Sequence, residues 1–192
     1  MPKRRHHASF LLCMAVASVA LLCGCGARAA HTQQQQAART PTTPTCAGVA
    51  ASWAYLDTVA QLKRQAQVIV VGTVVSTRVG QDTTPCDLHT DATVRVDRSV
   101  YDPQQQVTGT TLVVRTEGGQ LPGGVGEGVE DEAHLGAGDQ IVLFLVPETA
   151  ARYRVVDGEQ GATHIIDGVV HPMSGPYSAM PLDAYIAQIE QA

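Results

Sequence analysis

The hydrophobic pattern divides this chain into three segments. An uncharged apolar run, Ala8–Leu22, follows the basic cluster Lys3–Arg5 near the N-terminus. The stretch after Cys25 has few large apolar side chains, and apolar residues then recur with the periods of strands and helices as far as the C-terminus. The pattern predicts a signal peptide, a tether that begins at Cys25 and one folded domain, with the boundaries 1–24, 25–48 and 49–192.

The apolar run is typical of an export signal. As a helix, its fifteen residues span about 22 Å, less than the hydrocarbon core of about 30 Å, so a permanent transmembrane helix is the weaker interpretation. Leu22-Cys23-Gly24-Cys25 resembles the lipobox of bacterial lipoproteins, which implies lipidation of Cys25 and cleavage before it. The alternative is cleavage at the A-x-A pattern Ala27-Arg28-Ala29, which would release the product.

Composition narrows the classes of partner. Residues 26 to 48 include a glutamine run and a Thr/Pro repeat, and such a stretch cannot bury enough apolar surface to fold, so it is predicted to be a tether. Cleavage before Cys25 removes three basic residues and no acid, taking the formal net charge from −5 to −8. An acidic domain is a poor candidate for binding nucleic acid.

The domain carries five segments that are typical of strands, and a short sixth. A β-branched run opens the series and contains Gly72, where glycine marks a bulge or a bend. The most hydrophobic segment is the fourth, which is therefore predicted to be central. The segments are Val68–Val75, Ala92–Val100, Leu112–Arg115, Ile141–Val146, Tyr153–Val156, and either Thr163–Ile166 or Val169–Val170.

Two helices flank the strands. Trp53, Leu56, Val59, Ala60 and Leu62 recur at helical spacing and predict a short helix that begins near Asp57 or Thr58. A closing helix opens at Pro181 and places Tyr185, Ile186 and Ile189 on one face. Because no helices alternate with the strands, the order predicts a mainly β domain, either an antiparallel barrel or a sandwich.

Four motifs of the domain form a recognisable series: Gln61–Val74, the pair Gly118-Gly119, Gly138–Leu145 and Tyr153–Gly161. The series resembles a widespread, largely uncharacterised domain of exported bacterial proteins, which is similar in plan to the OB-like barrel of netrin modules and tissue inhibitors of metalloproteinases. The resemblance implies an antiparallel OB-like barrel of five to six strands that binds a partner and has no catalytic residues. Inhibition of proteases is not implied, because those inhibitors use a free N-terminal cysteine amine.

Two cysteines, Cys46 and Cys86, remain after processing and lipidation. Export places them in an oxidising compartment, which favours a disulfide provided that the fold brings them together. Such a bridge would fasten the end of the tether to a turn between two strands.

The sequence contains no familiar catalytic motif: there is no H-E-x-x-H helix, G-x-S-x-G elbow, phosphate-binding loop or C-x-x-C pair. The unusual stretch is Gly118–His134, rich in glycine and then in acids, and a long solvated loop is the interpretation that we favour. We predict no catalytic residue, metal or cofactor. If the loop holds a hard cation, the candidate ligands are Glu130, Asp131, Glu132 and His134.

These observations predict a lipoprotein anchored in the cell membrane through Cys25 and facing outside the cytoplasm. Its role would be binding an envelope protein or another accessory function, without catalysis. The alternative is a metal-dependent hydrolase built on the barrel, which requires His134 and nearby acids to meet a second histidine.

Overall fold

The structure, a computed structural model, describes residues 46, 49–50, 53–124, 126–174 and 178–192. All of these residues belong to one compact unit. The predicted signal peptide, the lipobox-like sequence with Cys25, the A-x-A pattern and the predicted tether apart from Cys46 lie outside the described residues. Among the residues that are described, no helix is long and apolar enough to cross a membrane.

Strands dominate the described residues. The strands are β1 (Val49–Ala50), β2 (Val68–Gln81), β3 (Leu88–Tyr101), β4 (Thr111–Glu117), β5 (Gly119–Gln120), β6 (Gly126–Glu127), β7 (Val129–Glu130), β8 (Gln140–Thr149), β9 (Arg152–Val155), β10 (Ala162–Ile166), β11 (Val169–Pro172) and β12 (Met180–Pro181). The helices are α1 (Val59–Gln65) and α2 (Leu182–Gln191), and a 3₁₀ turn spans Gly158–Gly161. The prediction of a mainly β domain with a helix at each end is confirmed, and the two alternatives for the sixth strand both form, as β10 and β11.

The main sheet has eight strands in the order β12-β11-β10-β8-β2-β3-β4-β9, and a further pairing of β8 with β9 closes five of them into a ring. The expectation that all strands are antiparallel is wrong for two pairs: β1 and β7 pair in parallel outside this sheet, and within it β4 and β9 run parallel. The second pair is required by the ring. The reason is geometric. Directions cannot alternate all the way round a ring with an odd number of strands, so a five-stranded ring needs a parallel pair.

The strands β2 and β3 form a long hairpin, longer than the hydrophobic pattern predicts. Their pairing continues to Gln81 opposite Leu88, through a stretch of β2 whose side chains are mostly exposed. The register shifts between Val71 and Gly72, which confirms the predicted irregularity at this glycine. A Cβ atom on Gly72 would lie 2.6 Å from the carbonyl oxygen of Arg95, so the close approach of β3 requires glycine here.

The strand β8 is buried on both faces. Ile141, Leu143 and Leu145 pack into the cluster inside the ring, whereas Val142 and Phe144 pack into a second cluster with the two helices. This explains why its sequence is continuously hydrophobic and does not alternate. The prediction that the fourth segment is the central strand is confirmed.

The two helices cover the second cluster. A capping box of Thr58 and Gln61 starts α1 at the residue that the sequence suggests, and Val59 and Leu62 are buried. The predicted face of α2 is buried as Tyr185, Ile186 and Ile189, and the ring of Tyr185 meets Phe144 edge to face at 6.4 Å. Helix packing thus follows from the apolar spacing of each segment.

The disulfide between Cys46 and Cys86 is present, as the sequence favours. Cys86 lies in the turn between β2 and β3, so the bridge fastens the start of the domain to the tip of the long hairpin. The covalent loop spans 40 residues of sequence.

Replacing both bridging cysteines, Cys46→Ser with Cys86→Ser, should lower the free energy of unfolding by about 4 kcal/mol, because the unfolded chain gains the freedom of an open loop. Urea unfolding followed by circular dichroism measures the change. Oxidised wild type is the reference, and wild type treated with reductant should unfold at the same urea concentration as the variant. Equal stability of oxidised wild type and variant would contradict the prediction.

Candidate functional site

A glycine-rich loop joins β4 to β8 and carries three very short strands. Within the loop β5 pairs with β6, and β7 pairs in parallel with β1 from the start of the domain. The loop leaves β4 through Gly118, whose φ is +83° and where a Cβ atom would lie 2.7 Å from the carbonyl oxygen of Glu127. Only glycine tolerates this combination of backbone conformation and close approach. The loop is therefore folded back against the ring rather than extended into solvent.

An open cleft of about 760 Å³ lies between this loop and the ring. Its volume is within the range of about 300–1,000 Å³ that is usual for ligand sites. The side chains that line it come from distant parts of the sequence, and much of the remaining lining is glycine. The polar side chains of the lining are those of Thr90, Thr116, Glu117, Gln120, Glu127, His134, Asp139 and His164.

The charged groups of the cleft are acidic. Glu127 accepts a hydrogen bond from the backbone N–H of Leu88 at 2.9 Å, and Asp139 accepts one from the N–H of Gly136 at 2.7 Å. The same oxygen of Asp139 lies 3.9 Å from Nδ1 of His164. Glu117 is exposed at the end of β4. Three carboxylates and no lysine or arginine thus line the cleft as described.

The four candidate metal ligands of the acidic stretch do not converge. Glu130 and Asp131 are exposed, Glu132 is buried, and His134 lines the cleft. Among residues 46, 49–50, 53–124, 126–174 and 178–192, no group of three histidine, cysteine or acidic side chains could hold a metal ion. His134 does share the cleft with a second histidine, His164, although no motif or spacing in the sequence pairs the two.

Glu132 is the unexpected residue of this stretch, since an acid in a glycine-rich run is typical of a solvated loop. Only 5% of its surface is exposed, and Oε2 has no hydrogen-bond partner within the part of the chain that the structure describes. Burial raises the pKa of Glu132 to about 7; the backbone N–H groups of Glu117 and Ala133 and the charge of Arg154 oppose the shift, and the Glu117 carboxylate adds to it. A carboxyl group that titrates near neutral pH is typical of functional sites, although structural networks produce such groups too.

A second polar cluster lies on the hairpin. Arg115 on β4 donates from Nε and Nη2 to the two oxygens of Asp91 at 2.8 and 3.0 Å, and these bonds hold the pKa of Asp91 below its usual range. Nδ1 of the buried His89 lies 3.2 Å from Asp82. A side chain at Gly80 would collide with the His89 ring. Because Arg115 on β4 pairs with Asp91 on β3 and lies 3.5 Å from Asp82, which directly follows β2, the cluster links these strands and is structural.

No family model matches this chain, and no curated protein matches it either. The resemblance to the exported OB-like domain and to the lipobox therefore stays a prediction that depends on the motifs themselves.

Glu132 should make the protein less stable as the pH rises from about 4.5 to 7. Its pKa is about 7 in the folded state and 4.5 when unperturbed, so the folded state binds the proton more tightly. The resulting stabilisation is complete below pH 4.5 and is lost as the pH rises to 7, a decline of about 3 kcal/mol in the free energy of unfolding. Urea unfolding at a series of pH values measures it.

Two matched variants isolate this effect. Glu132→Gln should remove the decline, because the amide does not titrate, whereas Glu130→Gln on the exposed neighbour should keep it. Parallel curves for wild type and Glu132→Gln would refute the assignment.

Proposed function

We propose that this domain is a binding module without catalysis of its own, whose glycine-rich cleft receives a basic segment of a partner protein. The open cleft with three carboxylates is the observation that carries the proposal. Carboxylates lining a cleft with low-dielectric walls create a negative potential that attracts cations. The chain as a whole is acidic as well, with a formal net charge of −5.

The proposed fold of the module is an OB-like barrel. The five-stranded ring of β2, β3, β4, β9 and β8 supports this, because OB folds are five-stranded, partly open Greek-key barrels that bind extended ligands. The parallel pairing of β4 with β9 is compatible with such a barrel, since a closed ring of five strands requires one. Closure of the barrel pairs the edges of its strands, so the loops at the two ends of the barrel would vary between related domains and would form the binding surfaces.

A titration with a short lysine peptide tests the ligand class. We expect amide signals in the NMR spectrum to shift chiefly at residues that line the cleft, among them Glu117, Glu127 and His164. A glutamate peptide of equal length should cause no shift. Glu117→Lys should weaken binding of the lysine peptide several-fold, because it places a positive charge in an acidic cleft.

Glu190→Lys is the matched control for this titration. It makes the same change of charge on α2, where Glu190 pairs with Arg98 and does not line the cleft. If this control weakens binding as much as Glu117→Lys, or if the shifts are spread over the whole surface, the peptide is responding to net charge and the proposal fails.

The alternative function is a metal-dependent hydrolase. The observation in its favour is that His134, His164 and Asp139 line the same cleft, although they form no three-ligand group in the described part of the domain. The same titration separates the two functions, since cleavage of the peptide on addition of zinc would support the hydrolase and intact peptide supports the binding module.

We further propose that the module is held at the outer face of a membrane through Cys25. The support is the basic cluster, the short apolar run and the lipobox-like sequence. One acyl chain gives only marginal binding, whereas two or more make a firm anchor. Such an anchor, followed by a tether of about two dozen polar residues, would present the cleft to soluble or envelope partners.

Cys25→Ser should move the protein from the membrane fraction to the soluble fraction, because the hydroxyl cannot form the lipid thioether. Fractionation of cells followed by a high-salt wash and immunoblotting measures the distribution. Cys23→Ser, two residues earlier in the lipobox-like sequence, is the control and should remain in the membrane. A released wild-type protein would instead favour cleavage at Ala27-Arg28-Ala29.

A further inference from the structure

Three parts of the chain meet at a junction beside the ring. The buried amide of Gln160 accepts from the backbone N–H of Leu56 at 2.9 Å and donates to the carbonyl of Ala54 at 3.0 Å. The N–H of Glu159 donates to the carbonyl of Asp131 at 2.9 Å. Within the 3₁₀ turn, Gln160 therefore binds the N-terminal segment, and the preceding Glu159 binds the end of the glycine-rich loop.

A small cavity at this junction is lined by two residues that each carry a buried polar atom without a partner in the described part of the chain. Nε1 of Trp53, an obligate donor, and Oε2 of Glu132, an acceptor when ionised, have no hydrogen bond to any residue that the structure describes. Both residues line one cavity of about 10 Å³, together with Arg115, Glu117, Arg154 and Val155. Such orphaned groups are costly when dry, so a partner is expected.

We infer that this cavity is a site for a single water molecule, which accepts a hydrogen bond from the indole N–H of Trp53 and bonds to Oε2 of Glu132. The volume is close to the minimum that holds one water, and a buried water needs two to four polar partners, which these atoms and their neighbours supply. The water completes the junction by joining the N-terminal segment to the loop. The inference does not depend on what the cleft binds.

The charges around the cavity favour water over an ion. Arg115 on β4 and Arg154 on β9 line it and would repel a cation, whereas Glu117 on β4 and Glu132 would repel an anion. A neutral molecule that can both donate and accept hydrogen bonds is repelled by neither the arginines nor the glutamates. Water is also compatible with either charge state of Glu132, because it can donate to the carboxylate or accept from the carboxylic acid.

The water has a structural consequence for the cleft. Glu132 is followed by Ala133, His134 and Leu135, all of which line the cleft. A fixed position of the Glu132 carboxyl group therefore also holds the first residues of this side of the cleft. The junction thus positions His134 although the junction itself does not contact a ligand.

The sole tryptophan of the chain gives a direct test, because Trp53 supplies a single indole N–H signal in the NMR spectrum of the ¹⁵N-labelled full chain. We expect a cross-peak between this N–H and a long-lived water, and an indole signal that shifts with a midpoint near pH 7 as Glu132 titrates. Glu132→Gln should keep the water cross-peak and lose the pH dependence. Glu132→Leu should lose both, and Glu130→Leu at the exposed neighbour should lose neither.

The wild-type protein decides the question even if the leucine variant does not fold. An indole N–H without a water cross-peak would overturn the inference. A high-resolution crystal structure in which Nε1 of Trp53 contacts Oε2 of Glu132 directly would overturn it as well, whereas an ordered water within hydrogen-bond distance of both atoms would establish it.

Discussion

The fold depends on β8, because two different strands pair with different parts of the same edge of this strand. Along one edge β8 pairs with β2. Along the other, its first residues pair with β10 and its last residues pair with β9. The pairing with β9 closes the ring, and the pairing with β10 extends the sheet beyond it. The cleft lies at the start of β8, since Asp139 directly precedes this strand and His164 on β10 pairs with Ile141.

The hydrophobic pattern of a single segment predicts how that segment is buried wherever its own side chains make the contacts with the core. The run Ile141–Val146 indicates a strand buried on both faces, and the spacing of Tyr185, Ile186 and Ile189 indicates the buried face of α2. The bulge at Gly72 could also be predicted, because glycine in a strand interior has few other uses. In each of these the residues within one segment determine how it is buried.

The features that the sequence did not reveal depend on contacts between distant segments. The parallel pair β4 and β9 follows from closing a ring, which no single strand encodes. The exposed end of β2 is a strand because β3 pairs with it, although its side chains show no buried face. Glu132 is buried beside a cavity that it shares with Trp53 and with residues of β4 and β9, and nothing in an acidic run signals that burial. The cleft is likewise assembled from residues as far apart as Thr90 and His164.

The disulfide also determines how the domain carries a mechanical load. Tension applied to the chain before Cys46 passes through the two sulfur atoms to Cys86 and enters β3 at the tip of the hairpin. Because the disulfide joins both ends of this loop, the backbone between the two cysteines, which contains β1, Trp53, α1 and β2, lies off the covalent path of that force. The N-terminal segment of the junction is therefore off this path when the chain before Cys46 is pulled, whereas the cleft wall that follows Glu132 comes after Cys86 and is not.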